Sequence, residues 1–259
     1  MSQMLHSQLF RGPVGVALWP GWNFEEVFKL QNVTAEPTTE EITIPDPTRI
    51  GLPPYDSITS TSEIVLNGEA VSFNPAAAAI AMYGSVSKVP AGAVVEEEHP
   101  AYIDRTIMLA HIPLEVTAVT ADGVTEPYQR NIDFAVTPGG IRVLLGGRLA
   151  EDIAAESELM LPIKISYSYP TVDVIKPFTT GQKYYRVLLS QINEAGNNER
   201  RRIQCFYCRI ALNGGIPLNQ GAEFGVIPVQ IRLLADPNIV DIGEAAMWQW
   251  EVQDTAADA

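Results

Sequence analysis

Arg201-Arg202-Ile203-Gln204-Cys205-Phe206-Tyr207-Cys208-Arg209-Ile210-Ala211-Leu212, free of Gly and Pro, reads as a long, strong strand. Simple alternation puts Phe206, Cys208, Ile210 and Leu212 on one face and Ile203, Cys205, Tyr207, Arg209 and Ala211 on the other. Neither face is clearly polar. Such a strand needs cover on both sides, from a second layer of its own domain or from another subunit. Its neighbours Lys183–Ile192 and Val226–Ala235 read as strands too. They are reached through the polar turn Glu194-Ala195-Gly196-Asn197-Asn198 and the loop Asn213-Gly214-Gly215-Ile216-Pro217. Trp248 and Trp250 follow, two apart as on one strand face; they read as the anchor of a C-terminal arm or as an aromatic platform.

Upstream, residues 101–170 read as a separate β unit. Ile107–Val119 gives one strand or two, Asp122-Gly123 a hairpin turn, and Ile132–Val136 a strand. Glycine pairs at 139–140 and 146–147 bracket Ile141–Leu145, and Leu161–Tyr169 alternates up to Pro170. Before that unit, Asn74-Pro75-Ala76-Ala77-Ala78-Ala79-Ile80-Ala81-Met82-Tyr83-Gly84 is the clearest helix: an Asn cap, Pro at the first position and a terminal Gly. Ile64–Phe73 reads as strand around a turn-forming Asn67-Gly68. Val27–Ala35 and Thr39–Ile44 read as two strands. Between these and Ile64, the prolines of Pro45-Asp46-Pro47 and Pro53-Pro54 block a sheet, so Pro45–Thr61 is expected to be a long surface loop. Ile50, Leu52 and Tyr55 within it suggest a loop that orders on contact; a mobile excursion without a role is the plainer alternative. The first twenty-odd residues, through Leu18-Trp19-Pro20-Gly21-Trp22, read as an arm whose tryptophans seek a partner surface, on the same chain or on a neighbour.

The 259 residues suffice for one large β domain or two smaller ones, and a chain 46% hydrophobic and 19% charged is core-forming. The formal net charge of −14 opposes a grip on nucleic acid, which needs Lys and Arg in place of phosphate counterions. An acidic surface keeps a protein soluble and lets DNA slide past without sticking. Met1–His6 lacks a basic region and the apolar run Val14–Trp19 is short, so no secretion signal is expected. No run approaches the roughly 20 apolar residues of a membrane span.

Chemistry finds little foothold. His6, His99 and His111 lack the close spacing of a metal site, and Glu96-Glu97-Glu98-His99 reads as a solvated charge run. Cys205-Phe206-Tyr207-Cys208 has redox spacing, but inside a strand residues three apart point to opposite faces, so two separately buried thiols are expected. No nucleophile elbow, phosphate-binding glycine loop or dinucleotide fingerprint occurs. No catalytic residue, metal or cofactor is expected, and the chain reads as a structural protein rather than an enzyme.

The order of features resembles the major tail tube protein of long-tailed, siphovirus-like bacteriophages. An N-terminal arm, a strand pair (Val27–Ile44), a long loop, a short Ala-rich helix and three closing strands follow in that family's order. Ile227-Pro228-Val229-Gln230-Ile231-Arg232-Leu233-Leu234-Ala235-Asp236-Pro237 is similar to its last barrel strand and exit. Tyr128-Gln129-Arg130-Asn131-Ile132-Asp133-Phe134-Ala135-Val136 and Ile165-Ser166-Tyr167-Ser168-Tyr169 are similar to a β unit inserted in several phage tail proteins. The resemblance implies a mainly β fold, a tube β-barrel or sandwich with one short helix and a small inserted β domain. It divides the chain into an arm and first barrel part (1–100), the insert (101–170) and the closing strands with a C-terminal arm (171–259). It implies stacked hexameric rings in the virion tail, assembled in the bacterial cytoplasm, with DNA passing through the lumen unbound. Partners would be other copies of the chain, a tape measure protein, and tail terminator and baseplate proteins. Pro45, Asp46, Arg49, Leu52, Pro53 and Tyr55 would form an inter-ring contact loop; Glu40, Glu41 and Glu69 are candidate lumen acids that serve equally as plain surface charges. Another virion β protein (baseplate hub, tail terminator or head decoration) is the alternative, and a carbohydrate-binding β module a further one.

Overall fold

A computed structural model describes residues 8–50, 54–72, 74–195, 198–219 and 225–253. The fold is mainly β, with 54% of the described residues in strands against 6% in two helices. The chain forms two compact units, Met1–Val86 with Ile175–Ala259 and Ser87–Val174.

The first unit begins with β1 (Phe10–Arg11), β2 (Val14–Leu18), β3 (Glu25–Phe28), β4 (Leu30–Pro45), β5 (Pro54–Ala70) and helix α1 (Pro75–Ala81). β6 (Ser85–Val89) leads out of it. The second unit holds β7 (Gly92–Ala101), β8 (Thr106–Met108), β9 (Glu115–Ala121), β10 (Phe134–Thr137), β11 (Gly140–Val143), α2 (Arg148–Ala155) and β12 (Leu161–Tyr169). β13 (Val172–Lys176) pairs with β6 and returns the chain. β14 (Tyr185–Asn193), β15 (Arg200–Leu212), β16 (Ile227–Leu234) and β17 (Trp248–Val252) complete the first unit.

One nine-stranded sheet in the order β3-β2-β14-β15-β16-β5-β4 makes up the first unit, with β1 added to β14 and β17 to β15. Lys29 alone separates β3 from β4, so the two margins of the sheet are joined by one run of chain. Yet β3 pairs with β2 and β4 with β5, and among the described residues no ladder joins margin to margin. The expected barrel is therefore not closed within the chain. Val14, Val16, Leu66, Val187, Leu189, Ile203, Ile210, Val229, Ile231 and Leu233 fill its interior. Helix α1 contributes Ala77 to the same core. The Asn74 side chain accepts a hydrogen bond from Ala76 N at 2.9 Å, and Pro75 stands at the first helical position where its missing N–H costs nothing.

Several local expectations give way to tertiary pairing. Val14–Leu18 is a buried core strand rather than part of an arm, because β14 pairs along its length. Asn67-Gly68 lies inside β5 rather than at a turn, since both β4 and β16 hydrogen-bond there. Gly68 makes room for Val33, whose methyl would stand 3.3 Å from an added Cβ. Thr39–Ile44 is the outer part of the 16-residue strand β4, and the loop expected over Pro45–Thr61 is largely the first half of β5.

A bulge in β15 changes the reading of its two thiols. Tyr185 lies opposite Cys208 and Val187 opposite Cys205, so three steps on one strand match two on the other. The extra residue reverses the alternation. Cys205 and Cys208 consequently both face the core, not opposite sides. They are free thiols, and Cys208 Sγ donates to Tyr185 O at 3.0 Å. Burial pushes the Cys205 thiol up to about 12 and Cys208 well above its ordinary value, aided there by Cys205.

The second unit carries two three-stranded sheets, β7-β12-β9 and β10-β11-β8, around Val119, Ile141, Leu149, Ile153, Ile163, Ile165 and Tyr167. β7 pairs with β12 over nearly its whole length, so this unit begins well before residue 101 and runs past 170. Its helix α2 was not expected. Leu149 and Ile153, four apart and fully buried, are its core contacts, and Asp133 Oδ1 accepts from Leu149 N at 3.4 Å. Asp122-Gly123 turns the chain, but β9 pairs with β12 instead of forming a hairpin with the next strand.

Candidate functional site

The outer half of hairpin β4–β5 is an exposed two-stranded ribbon. β16 stops pairing with β5 at Ile64, opposite Leu233. From Glu63 to Pro54, β5 pairs with β4 alone. At about 3.3 Å per residue the free ribbon is roughly 30 Å long. Thr38, Thr39, Ile42, Thr43 and Ile44 on one strand and Ile58, Thr59 and Thr61 on the other supply β-branched side chains, which hold an extended backbone without a core beneath it. Every residue of the ribbon from Glu36 to Pro45 and from Pro54 to Ser62 is exposed.

The register sorts these side chains into two faces, because residues directly opposite in an antiparallel ladder share one. Glu40 faces Ser60, Ile42 faces Ile58 and Ile44 faces Asp56. One face is thus a stripe of three isoleucines with an acid at either end. The other carries Thr39, Glu41, Thr43, Ser57, Thr59 and Thr61. Ile42 is 63% exposed and Ile58 61%.

The expected contact residues cluster at the tip, in smaller roles. Pro45 pairs with Pro54 and ends the ladder. Asp46 Oδ1 accepts from Thr48 N at 2.9 Å and from Thr48 Oγ1 at 2.6 Å, and its other oxygen meets Arg49 Nε at 3.3 Å. These Thr48 hydrogen bonds, the side-chain one foremost, hold the Asp46 carboxyl below its ordinary value. Asp46 and Arg49 therefore build the turn. Tyr55, 76% exposed, sits at the start of β5. Leu52 and Pro53 lie outside the described residues. Ile42, Ile44 and Ile58 were not singled out in the sequence; the alternating Thr–Ile pattern was their signal. Of the candidate lumen acids, Glu40 and Glu41 stand on opposite faces of the ribbon, while Glu69 accepts from Gln31 and Asn32 beside the sheet.

A second notable cluster covers the outward side of β14 and β15. Arg186 Nη2 meets Asp236 Oδ2 at 3.2 Å with both side chains buried. Trp22 lies 3.7 Å over the guanidinium, and Trp19 Nε1 donates to Asp236 at 3.3 Å. Tyr207 packs edge-on to Trp19 and stacks on Tyr184. The tryptophans of the N-terminal segment thus find their partner on the same chain. They give β15 the cover that its outward residues demand.

Trp248 and Trp250 belong to β17, paired to β15, with Trp248 packed against the core. In the second unit, Glu97 and His99 lie within β7 rather than in a solvated run. Burial opposes ionisation of Glu97, but hydrogen bonds from Tyr167, His99 and Ala110 N outweigh it and hold the carboxyl below its ordinary value. His111 stacks on Tyr169 with ring centres 4.0 Å apart. Among the described residues no three His, Cys, Asp or Glu side chains converge as a metal would require. No helix among them is long and apolar enough to cross a membrane.

No curated protein matches this chain. A family model described as "Protein of unknown function UCP028589" matches residues 7–245, nearly the whole length, and the chain belongs to that family.

Proposed function

We propose that the chain is a non-enzymatic structural subunit that polymerises with its own copies, in the manner of a phage tail tube protein. The observation that carries this reading is the free ribbon of β4 and β5. An isolated two-stranded ribbon is marginal in water, and this one also displays an uncovered isoleucine stripe. A ribbon of that kind gains its stability on a partner's surface. The unclosed sheet adds a second reason, since its margins β3 and β4 keep backbone groups for further pairing. Stacked hexameric rings satisfy both needs, and an acidic chain suits a lumen through which DNA must travel without adhering. In this reading the protein resides in the virion tail. Its other partners are a tape measure protein inside the tube, and terminator and baseplate proteins at its ends.

Negative-stain microscopy and sedimentation of the purified chain at rising concentration test the proposal. Rings or tubes are expected. A species that stays monomeric at high protein concentration overturns it. Removing Asp46–Tyr55 is expected to leave the sheet folded and stop tube growth; unimpaired growth would remove the hairpin tip from the contact.

A further inference from the structure

We infer that the isoleucine face of the β4–β5 hairpin seats on a second copy of the chain, in the arginine-lined groove formed by β14, β15 and β17. The inference rests on the polymer reading above and names the surface that receives the hairpin. The groove is shallow and open, and Ser190, Ile192, Arg200, Arg201, Arg202 and Glu251 are among its lining. Ile192 lies opposite Arg200, and Ser190 opposite Arg202, so these four share one face. It is the outward face of β14 that carries Arg186 further along. There the Trp19–Trp22 segment covers it; at the Ile192 end the apolar side chain is half exposed.

Charge and apolar character match between the two surfaces. In a chain of net charge −14, three successive arginines are a local reversal of sign. The hairpin carries Glu40, Glu41, Asp46 and Asp56 against Arg49. Glu40 and Asp56 lie on the isoleucine face itself, as Arg200 and Arg202 lie beside Ile192. An apolar strip flanked by acids therefore meets an apolar residue flanked by cations. Of the two cations on this face, Arg202 is held by Glu251. Arg201 alternates to the opposite face, where Gln191 Oε1 clasps it at 2.6 Å and 2.9 Å and the Phe10 ring lies 3.7 Å away.

The sheet geometry makes the contact intermolecular. Leu233 pairs with both Cys208 and Ile64. From that row, β15 running back to Arg200 and β5 running back to Pro54 head toward the same end of the sheet. The hairpin is formed by β4 and β5 at the sheet margin, and β16, followed along β15 by β17, lies between it and the β14–β15 pair. A ribbon that continues straight on leaves its own groove bare and reaches one beside it. The two surfaces differ, so the contact is heterologous, the type that propagates and closes into a ring when the rotation allows.

Charge reversal and thiol trapping test this together. Glu40→Lys with Asp56→Lys, and separately Arg200→Glu with Arg202→Glu, are expected to raise the concentration needed for assembly at least tenfold; the thermal melt of the first should stay unchanged, and that of the second should fall by only a few degrees through loss of the exposed Arg202–Glu251 pair. Combining both sets in one chain should restore at least part of the loss. A chain with Ile42→Cys and Ser190→Cys should give a ladder of disulfide-linked oligomers on a non-reducing gel, and each single variant none; the native thiols are buried and do not interfere. Wild-type particles without a ladder, or reversals without effect, overturn the groove assignment and leave the polymer reading standing. A wild-type chain that never assembles overturns both. If the arginine variant assembles normally and instead loses affinity for a DNA duplex at physiological salt, the groove serves nucleic acid and the inference is wrong.

Discussion

Replacing Asp236 by Ala should be among the most damaging single changes in the first unit. Asp236 is 1% exposed and accepts hydrogen bonds from Arg186, from Trp19 Nε1 and from Asn238 N. Its removal leaves the buried Arg186 cation, under the Trp22 ring, without a counter-charge. Breaking a buried pair from one side typically costs about 3–5 kcal/mol, because the surviving charge stays desolvated. For a unit of this size that is a fall in Tm of roughly 6–20 °C. Two of the four tryptophans sit on the pair, so emission in a urea or thermal melt reports its loss directly. The apolar double replacement Arg186→Met with Asp236→Leu isolates the cause. It removes both charges and keeps most of the volume, and should recover the larger part of the loss. A drop below about 1 kcal/mol for Asp236→Ala, or a double variant no better than the single one, would refute the argument that desolvated charge dominates here.

Three other outcomes follow from particular residues. Ile42→Asp with Ile58→Asp changes two largely exposed residues that face each other, so stability should fall by no more than about 1–2 kcal/mol while assembly fails; a larger loss would mean the stripe is already covered within one chain. Cys205 and Cys208 should ignore a thiol reagent at pH 8 until the protein is unfolded. Because the folded thiol of Cys205 titrates near 12 against about 9 in the unfolded chain, stability should fall as pH rises from 9 through 12; rapid native labelling or a flat alkaline profile contradicts this. Glu97 titrates below its ordinary value, so its stabilising effect is present above that value and is lost as pH falls through the folded midpoint; Tyr167→Phe should move the midpoint upward in a carboxyl NMR titration, and an unmoved midpoint refutes the role of that hydroxyl.

The strands were legible where alternation ran unbroken between turn signals. Leu161–Tyr169 was read with its observed bounds, and the three closing strands to within a few residues, because their apolar content is dense on at least one face. Helix α1 was legible because Asn74, Pro75 and the alanines state its cap and body locally. What failed depended on partners remote in sequence. Asn67-Gly68 has strong turn chemistry, yet two flanking strands hold it extended. The bulge that brings Cys205 and Cys208 to one face is a mismatch of count between β14 and β15, which neither strand shows alone. Helix α2 is only eight residues long, and Gly147 ahead of it offers no capping side chain to announce its start. The hairpin was hidden by its prolines. Pro45 and Pro54 oppose each other at its end, and Pro37 lies opposite Ile64 on the margin strand, where among the described residues no second neighbour calls on its missing N–H.

The hairpin's modest apolar stripe dictates how assembly must proceed. Fully burying an isoleucine is worth about 1.5–3 kcal/mol, and Ile42, Ile44 and Ile58 are 63%, 50% and 61% exposed, so a partner gains roughly 1–2 kcal/mol from each. Joining two free molecules costs about 4–15 kcal/mol in lost motion and ordering. One hairpin contact is thus too weak to hold a dimer at ordinary concentrations. In a ring each chain gives one hairpin and receives one, and the last contact forms within an already tethered assembly at high effective concentration. Only the closed ring, or a stack of them, collects enough contacts to exceed the cost. Sedimentation should therefore show monomer and large assembly with little between, and a sharp threshold concentration. A smooth series of dimers, trimers and tetramers would mean that each contact is far stronger than the isoleucine stripe allows.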